Sequence, residues 1–98
     1  MDMNFNIPRN TYEDIVTFAK FHGLQRVILF GSRARGTHGE RSDIDIAVSG
    51  GNFSGFYWDI DEKARTLLMF DIIDLDKGIS EELQKEIQRD GVIVYEKI

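Results

Sequence analysis

The run Val27-Ile28-Leu29-Phe30, lying between Gly23 and Gly31, constrains the fold of this chain more than any other segment. Consecutive apolar residues bounded by glycine are too few for a helix, and their unbroken character, without alternation, predicts a strand from Arg26 to Phe30 that is covered on both faces. Such a strand belongs inside a sheet on which helices pack. The neighbouring segments supply those helices. Tyr12, Ile15, Val16 and Ala19 follow helical spacing from Asn10 to His22, with Asn10 and Glu13 placed as a capping pair and Gly23 as a stop. Tyr57, Ile60, Ala64, Leu67 and Leu68 recur three and four apart, which predicts a second packed helix between Ser54 and Leu68. Ser80, followed by Glu81 and Glu82, caps a third helix that stops at Gly91.

Further strands are expected at Asp43 to Val48, Phe70 to Leu75 and Val92 to Tyr95, with one short helical turn over Ser32 to Arg35 and a loop from Gly36 to Glu40. No repeat, low-complexity tract or linker interrupts this alternation. The expected fold class is therefore α/β, a small mixed sheet of about four strands with helices packed on it. With 98 residues, 42% of them hydrophobic, the chain fits one domain spanning residues 1–98.

Composition narrows the function. Cysteine is absent, so a metal would be held by oxygen or histidine ligands. Met1 to Asn10 has neither a basic start nor an apolar run, and no stretch is long enough to cross a bilayer, so a soluble, unexported, cytoplasmic protein with no membrane partner is expected. A formal net charge of −5 argues against a broad electrostatic grip on nucleic acid. Arg33, Arg35, His38 and Arg41 nevertheless make a local basic patch, which reads either as a solvated loop or as a site for a small polyphosphate.

That patch stands directly before Asp43-Ile44-Asp45. On a strand, residues two apart share a face, so the two carboxylates project together while Ile44 and Ile46 point to the packed side. Like charges this close raise one another's pKa unless a cation lies between them, and Mg²⁺ takes carboxylate together with phosphate oxygens. The wet face of an edge strand is the plain alternative. Gly31-Ser32 favours the chemical reading: glycine lets backbone approach a phosphate, and the turn after it opens a short helix with free N–H groups. Phe70-Asp71-Ile72-Ile73-Asp74-Leu75 adds acids within an apolar run, where an unpaired charge is costly. Asp71 and Asp74 are three apart and so face opposite ways; Asp71 is the candidate to join Asp43 and Asp45.

Gly31-Ser32, ten intervening residues, Asp43-Ile44-Asp45 and a later strand with Asp71 together resemble the nucleotidyltransferase superfamily that includes DNA polymerase beta. The chain is most similar to the minimal nucleotidyltransferases, small members encoded as antitoxins beside an all-helical HEPN toxin. The resemblance runs from Leu29-Phe30-Gly31-Ser32-Arg33-Ala34-Arg35-Gly36 to Val92-Ile93-Val94-Tyr95. It implies the nucleotidyltransferase fold, and two Mg²⁺ ions held by Asp43, Asp45 and Asp71, with Asp71 near the attacking hydroxyl. It further implies ATP as substrate, its outer phosphates cradled by Gly31 and Ser32 and neutralised by Arg33 or Arg35. These arginines are two apart and need not share a face.

Larger relatives carry a helical domain that holds the acceptor, whereas here the acceptor is expected on a partner: a tyrosine of the HEPN toxin, adenylylated within a hetero-oligomer. Phe53, Phe56, Tyr57 and Trp58 form an aromatic cluster, read as core with interface anchoring as the alternative. Two other functions compete, a non-catalytic antitoxin that blocks its partner by binding and a transferase acting on RNA or a small molecule.

Overall fold

The computed structural model describes residues 6–98, so the part of the amino-terminal reading that concerns residues 1–5 lies outside it. Helix and strand alternate as α1 (Arg9–Phe21), β1 (Arg26–Phe30), α2 (Ser32–Arg35), β2 (Ile44–Ser49), α3 (Phe53–Lys63), β3 (Phe70–Asp74), a 3-10 turn (Leu75–Lys77), α4 (Glu81–Asp90) and β4 (Val92–Glu96). The strands form one sheet in the order β3-β2-β1-β4. β1 runs antiparallel to both β2 and β4, and β2 runs parallel to β3, with α3 as the crossover. The sheet is thus mixed and four-stranded, as expected.

Both faces are covered, as the apolar run of β1 requires. Val27 and Leu29 of β1, with Ile44, Ile46 and Val48 of β2, are buried against Ile15 of α1 and Phe56 and Ile60 of α3. On the opposite face Phe30 and Ala47 pack with Ile87 of α4, and Ile28, Ile73 and Leu83 complete that layer. No helix among the described residues is long and apolar enough to cross a membrane.

Element ends differ where tertiary contacts decide them. α1 begins one residue earlier than expected and has no side-chain cap: Pro8, at φ −58°, sets the entry, and the Tyr12 N–H donates to its carbonyl at 3.0 Å. Glu13, expected to cap, instead pairs with Arg9 and Arg65. The expected glycine stop is present, because Gly23 is left-handed at φ +69° and the N–H groups of Gly23 and Leu24 donate to the carbonyls of Lys20 and Ala19, closing a Schellman motif.

α3 starts at Phe53 under an Asn52 cap, whose side-chain oxygen accepts the Gly55 N–H at 3.1 Å. It also ends five residues early. Asp14 takes the Arg65 backbone N–H at 2.8 Å and the Arg65 guanidinium at 2.9 Å, pulling the chain off the helical path after Ala64. Burial pushes the Asp14 carboxyl up, but these bonds and the guanidinium charge outweigh it and hold it below its ordinary value. The early stop leaves Leu67, expected on the packed face, 101% exposed, while Leu68 still packs on the core.

β3 stops at Asp74 because Asp74 caps the 3-10 turn, its carboxylate accepting the Asp76 N–H at 3.0 Å. Ser80 caps α4 as expected, its hydroxyl accepting the Leu83 N–H at 3.2 Å.

The aromatic cluster divides. Phe56 is fully buried, Phe53 is half-buried against the core, and Tyr57 and Trp58 are exposed. Phe56→Ala should therefore lower the free energy of unfolding by about 3–5 kcal/mol in urea titrations, through lost burial and the cavity left behind. Leu67→Ala, at a fully exposed position, should stay within about 0.5 kcal/mol of wild type in the same measurement.

Candidate active site

Three strand ends meet at one edge of the sheet. β1 is antiparallel to β2, so its last residue, Phe30, stands opposite Asp45, near the start of β2. β3 is parallel to β2, so its own start lies beside that of β2, with Asp71 in register with Asp45. Residues paired across strands project from the same face. Asp45 and Asp71 therefore point together toward the α4 side, below the layer containing Phe30 and Ala47. Asp43 precedes β2 by one residue and, two positions from Asp45, shares its direction. Asp74 is in the opposite phase and serves the 3-10 turn, so the structure brings Asp43, Asp45 and Asp71 together and leaves Asp74 out.

Gly31 follows Phe30 directly and closes over this cluster. Its backbone, at φ +76° and ψ −157°, occupies a region that is essentially glycine-only. A Cβ there would also collide with the Asp45 carboxylate. Two independent constraints thus demand glycine at this position. The Gly31 carbonyl accepts the N–H groups of Ala34 and Arg35, each at 3.1 Å, which turns the chain into α2 with half-buried Ser32 at its first position. At the start of such a turn the leading N–H groups have no carbonyl within the helix. Gly36, left-handed at φ +80°, ends it.

The carboxylates are mutually unfavourable. Asp45 is pushed up to about 6, first by burial, then by the charges of Asp71, Asp43 and Glu86, with Arg35 opposing. A carboxyl held this high has too little positive charge around it for the negative charge it must carry at neutral pH. Each oxygen in the cluster is a hard donor suited to a divalent cation. As the side chains are placed, no three histidine or acidic groups among the described residues stand close enough to coordinate one ion. The donor chemistry and the repulsion fit such an ion; the side chains would have to converge on it.

The two arginines have parted. Arg33 is only 4% exposed, and its guanidinium donates to the carbonyls of Asn6 at 2.7 Å, Ser42 at 3.0 Å and Glu40 at 3.1 Å. The expectation that Arg33 might face phosphate is corrected: this side chain fastens the loop before Asp43 to the segment before α1. Asn6 returns a bond, its amide donating to the Arg33 carbonyl at 2.7 Å. Arg35 points the other way, toward α4, where its guanidinium meets Asp90 at 3.1 Å and Glu86 at 3.8 Å. Of the pair, Arg35 is the one that acts electrostatically on Asp45.

Glu86 and Asp90 were not among the residues singled out from the sequence. Leu83 and Ile87 define the buried stripe of α4, so Glu86 and Asp90, one turn apart, fall beside that stripe and toward the sheet end. That spacing was readable, but only the observed packing of α4 on the β1–β2 layer brings both to Arg35, and Glu86 within reach of Asp45. Asp90 is shared with Arg89 at 2.8 Å; the Arg89 hydrogen bond, with help from Arg35, holds its carboxyl below the ordinary range.

Residues 13–98 match the family model described as polymerase beta, nucleotidyltransferase. No curated protein matches the chain. Solved structures do. A toxin–antitoxin with AMP-PNP is 26% identical at a TM-score of 0.68, over 88% of this chain and 73% of that one. A minimal nucleotidyltransferase is 26% identical at a TM-score of 0.64, over 86% of this chain and 89% of that one. The toxin–antitoxin MntA-HepT, at 22% identity and a TM-score of 0.62 over 92% of this chain and 74% of that one, shares the fold. With the family model covering nearly the whole sequence and the glycine turn seated on the paired strand-end carboxylates, the chain belongs to the polymerase beta nucleotidyltransferase family.

Proposed function

We propose that this chain is an Mg²⁺-dependent adenylyltransferase that moves AMP from ATP to a tyrosine hydroxyl of a HEPN-domain toxin, and so acts as the antitoxin of a cytoplasmic hetero-oligomer. The observation that carries the reading is Asp71 in register with Asp45 beneath Gly31. The likeness to a toxin–antitoxin with AMP-PNP supports the choice of nucleotide and of partner class.

Asp43, Asp45 and Asp71 would hold two Mg²⁺ ions, whose contribution when bound is Lewis-acid stabilisation of charge on the phosphoryl oxygens. Gly31 and Ser32 receive the outer phosphates at the opening of α2, where the leading N–H groups have no carbonyl within the turn. Arg35 supplies the positive charge, exchanging its α4 carboxylates for phosphate oxygens; Arg33 has no part in this, because its donors are spent on carbonyls. The tyrosine oxygen bonds to the α-phosphorus as the bond between that phosphorus and the bridging oxygen breaks. Pyrophosphate departs with the electron pair, and Asp71, exposed near the start of β3, accepts the phenolic proton.

Incubation with ATP labelled at the α-phosphate and the HEPN-domain protein should move label onto that protein, and Asp43→Asn should lower the rate by at least about a hundredfold. If no label moves with any divalent metal, while Asp43→Asn still neutralises the toxin, the chain is a binding antitoxin only. Label found on RNA instead would redirect the transferase reading; the net charge of −5 opposes that outcome.

Stability should report the crowding of carboxylates. The folded protein holds the Asp45 proton up to about pH 6, above the value in the unfolded chain, so ionisation disfavours the folded state. Stability conferred by this site is therefore greatest below about pH 4 and is lost as pH rises through about 6. Asp45→Asn should remove that dependence and, after allowance for solvent screening, stabilise the metal-free protein by about 1–2 kcal/mol at pH 7. Thermal melts across pH check this, and adding Mg²⁺ should raise the wild-type melting temperature more than that of the variant.

The arginines should separate by measurement. Arg35→Ala should weaken AMP-PNP binding about tenfold in calorimetric titrations, with little change in melting temperature. Arg33→Ala should cost about 2–3 kcal/mol of folding stability by leaving buried carbonyls without donors.

A further inference from the structure

The face of β3 opposite the carboxylates has an unfilled groove. Between the end of α3 and the edge strand β3 lies a cavity of about 290 Å³, bounded by Tyr57, Ile60, Leu67, Leu68, Met69 and Phe70. Ile60 at its floor is buried, whereas Met69 is 69% exposed and Leu67 fully so. Trp58, 56% exposed, extends the apolar rim by meeting Tyr57 edge-on, with ring centroids 5.4 Å apart. The early end of α3 creates this surface, since the Asp14–Arg65 bonds take the chain off the helix just before Leu67. Several large apolar side chains left in water around one concavity mark an interaction site more often than chance exposure does.

Charge selects the occupant. Asp61 lines the groove and Glu62 follows it, and neither belongs to an ion pair among the described residues. The nearby cations are already engaged, Lys63 by Asp59 at 3.3 Å and Arg65 by Asp14 at 2.9 Å. Asp61 therefore makes the rim acidic beside an apolar floor. A second copy of this chain docked by two-fold symmetry would set that acidic rim against itself. A partner with an apolar stripe flanked by lysine or arginine matches both the floor and the rim. The floor is built from side chains of α3 and of one face of β3, an apolar trough that suits the apolar stripe of a helix laid in a groove.

We propose that this groove docks an amphipathic helix of the protein substrate, its aliphatic or aromatic anchors seated over Ile60 and Phe70 and its basic flank against Asp61. The identity of that substrate rests on the function proposed above; the docking surface does not. Phe70 and Asp71 are successive residues of β3 pointing to opposite faces, so a protein seated here lies against the strand whose other face carries the site. The groove gives the enzyme a hold on its acceptor outside the reacting atoms, which positions the hydroxyl without using the carboxylates.

The test is calorimetric titration of the HEPN-domain partner proposed above against wild type and the double variant Leu67→Asp with Met69→Asp. Both positions are exposed, so the variant should melt as wild type and bind AMP-PNP as wild type. Binding of the protein partner should weaken at least about tenfold, and Asp61→Lys should also weaken it, with salt reducing the wild-type affinity. Wild-type affinity in the double variant overturns the proposal, as does failure of the wild type to bind the partner. Sedimentation of the chain alone supplies another overturning outcome: self-association of the wild type that the double variant abolishes would make a second copy the occupant. If the complex forms, is lost in the double variant, and yet no label is transferred by wild type, the docking surface stands and the transferase reading fails.

Discussion

The contact between the Gly31 backbone and the Asp45 carboxylate is the constraint on which the rest of this site depends. It arises from register. β1 and β2 are antiparallel, so the chain leaving Phe30 must turn directly above the residue paired with it, which is Asp45. Any side chain at residue 31 would occupy the carboxylate's place, and the turn itself needs a backbone conformation that other residues avoid. Once that turn is made, α2 begins over the carboxylates, and Gly36 releases the chain into the loop that Arg33 fastens. Asp71 then arrives by the parallel β2–β3 pairing, through a crossover whose length is set by α3 and not by the site.

How much of this was legible in the sequence depended on whether the determining forces were local. The two-sided burial of β1 was readable from Val27 to Phe30 because no polar residue interrupts the run. The phase that joins Asp71 and rejects Asp74 was readable because strand alternation is a local geometric fact. The end of α3 was not: the pattern through Leu67 and Leu68 is helical, and only Asp14, 51 positions away, explains why Arg65 leaves the helix. The entry to α1 was misread for a related reason. Asn10 and Glu13 have capping chemistry, but Pro8 already fixes the backbone ahead of them, and Glu13 is claimed by Arg9 and Arg65.

The basic stretch illustrates why linear charge is a poor guide to a charged surface. Arg33 and Arg35 lie two apart on one turn, yet one is enclosed by carbonyls and the other reaches α4. Of these two, the arginine left beside the acids is Arg35, already balanced by Glu86 and Asp90. The protein's two buried layers carry the cost of this arrangement. Ile44, Ile46 and Ala47 anchor β2 from both faces, so the Asp45 backbone stays in register with Asp71 and only its side chain is free to adjust.

The sheet also separates chemistry from recognition. Side chains of β3 alternate between a face with Asp71 and a face with Phe70 and Ile72 that supports the α3 groove. A change on one face reaches the other only through the strand backbone, which β2 holds in register from Phe70 to Asp74. The carboxylates on such a strand can be exchanged without disturbing the apolar rim, and the rim can change without moving the carboxylates. Phe70 and Ile72, of the opposite phase, and the segment that Asp14 draws out of α3 line the groove instead, so the carboxylate motif carries no information about that surface.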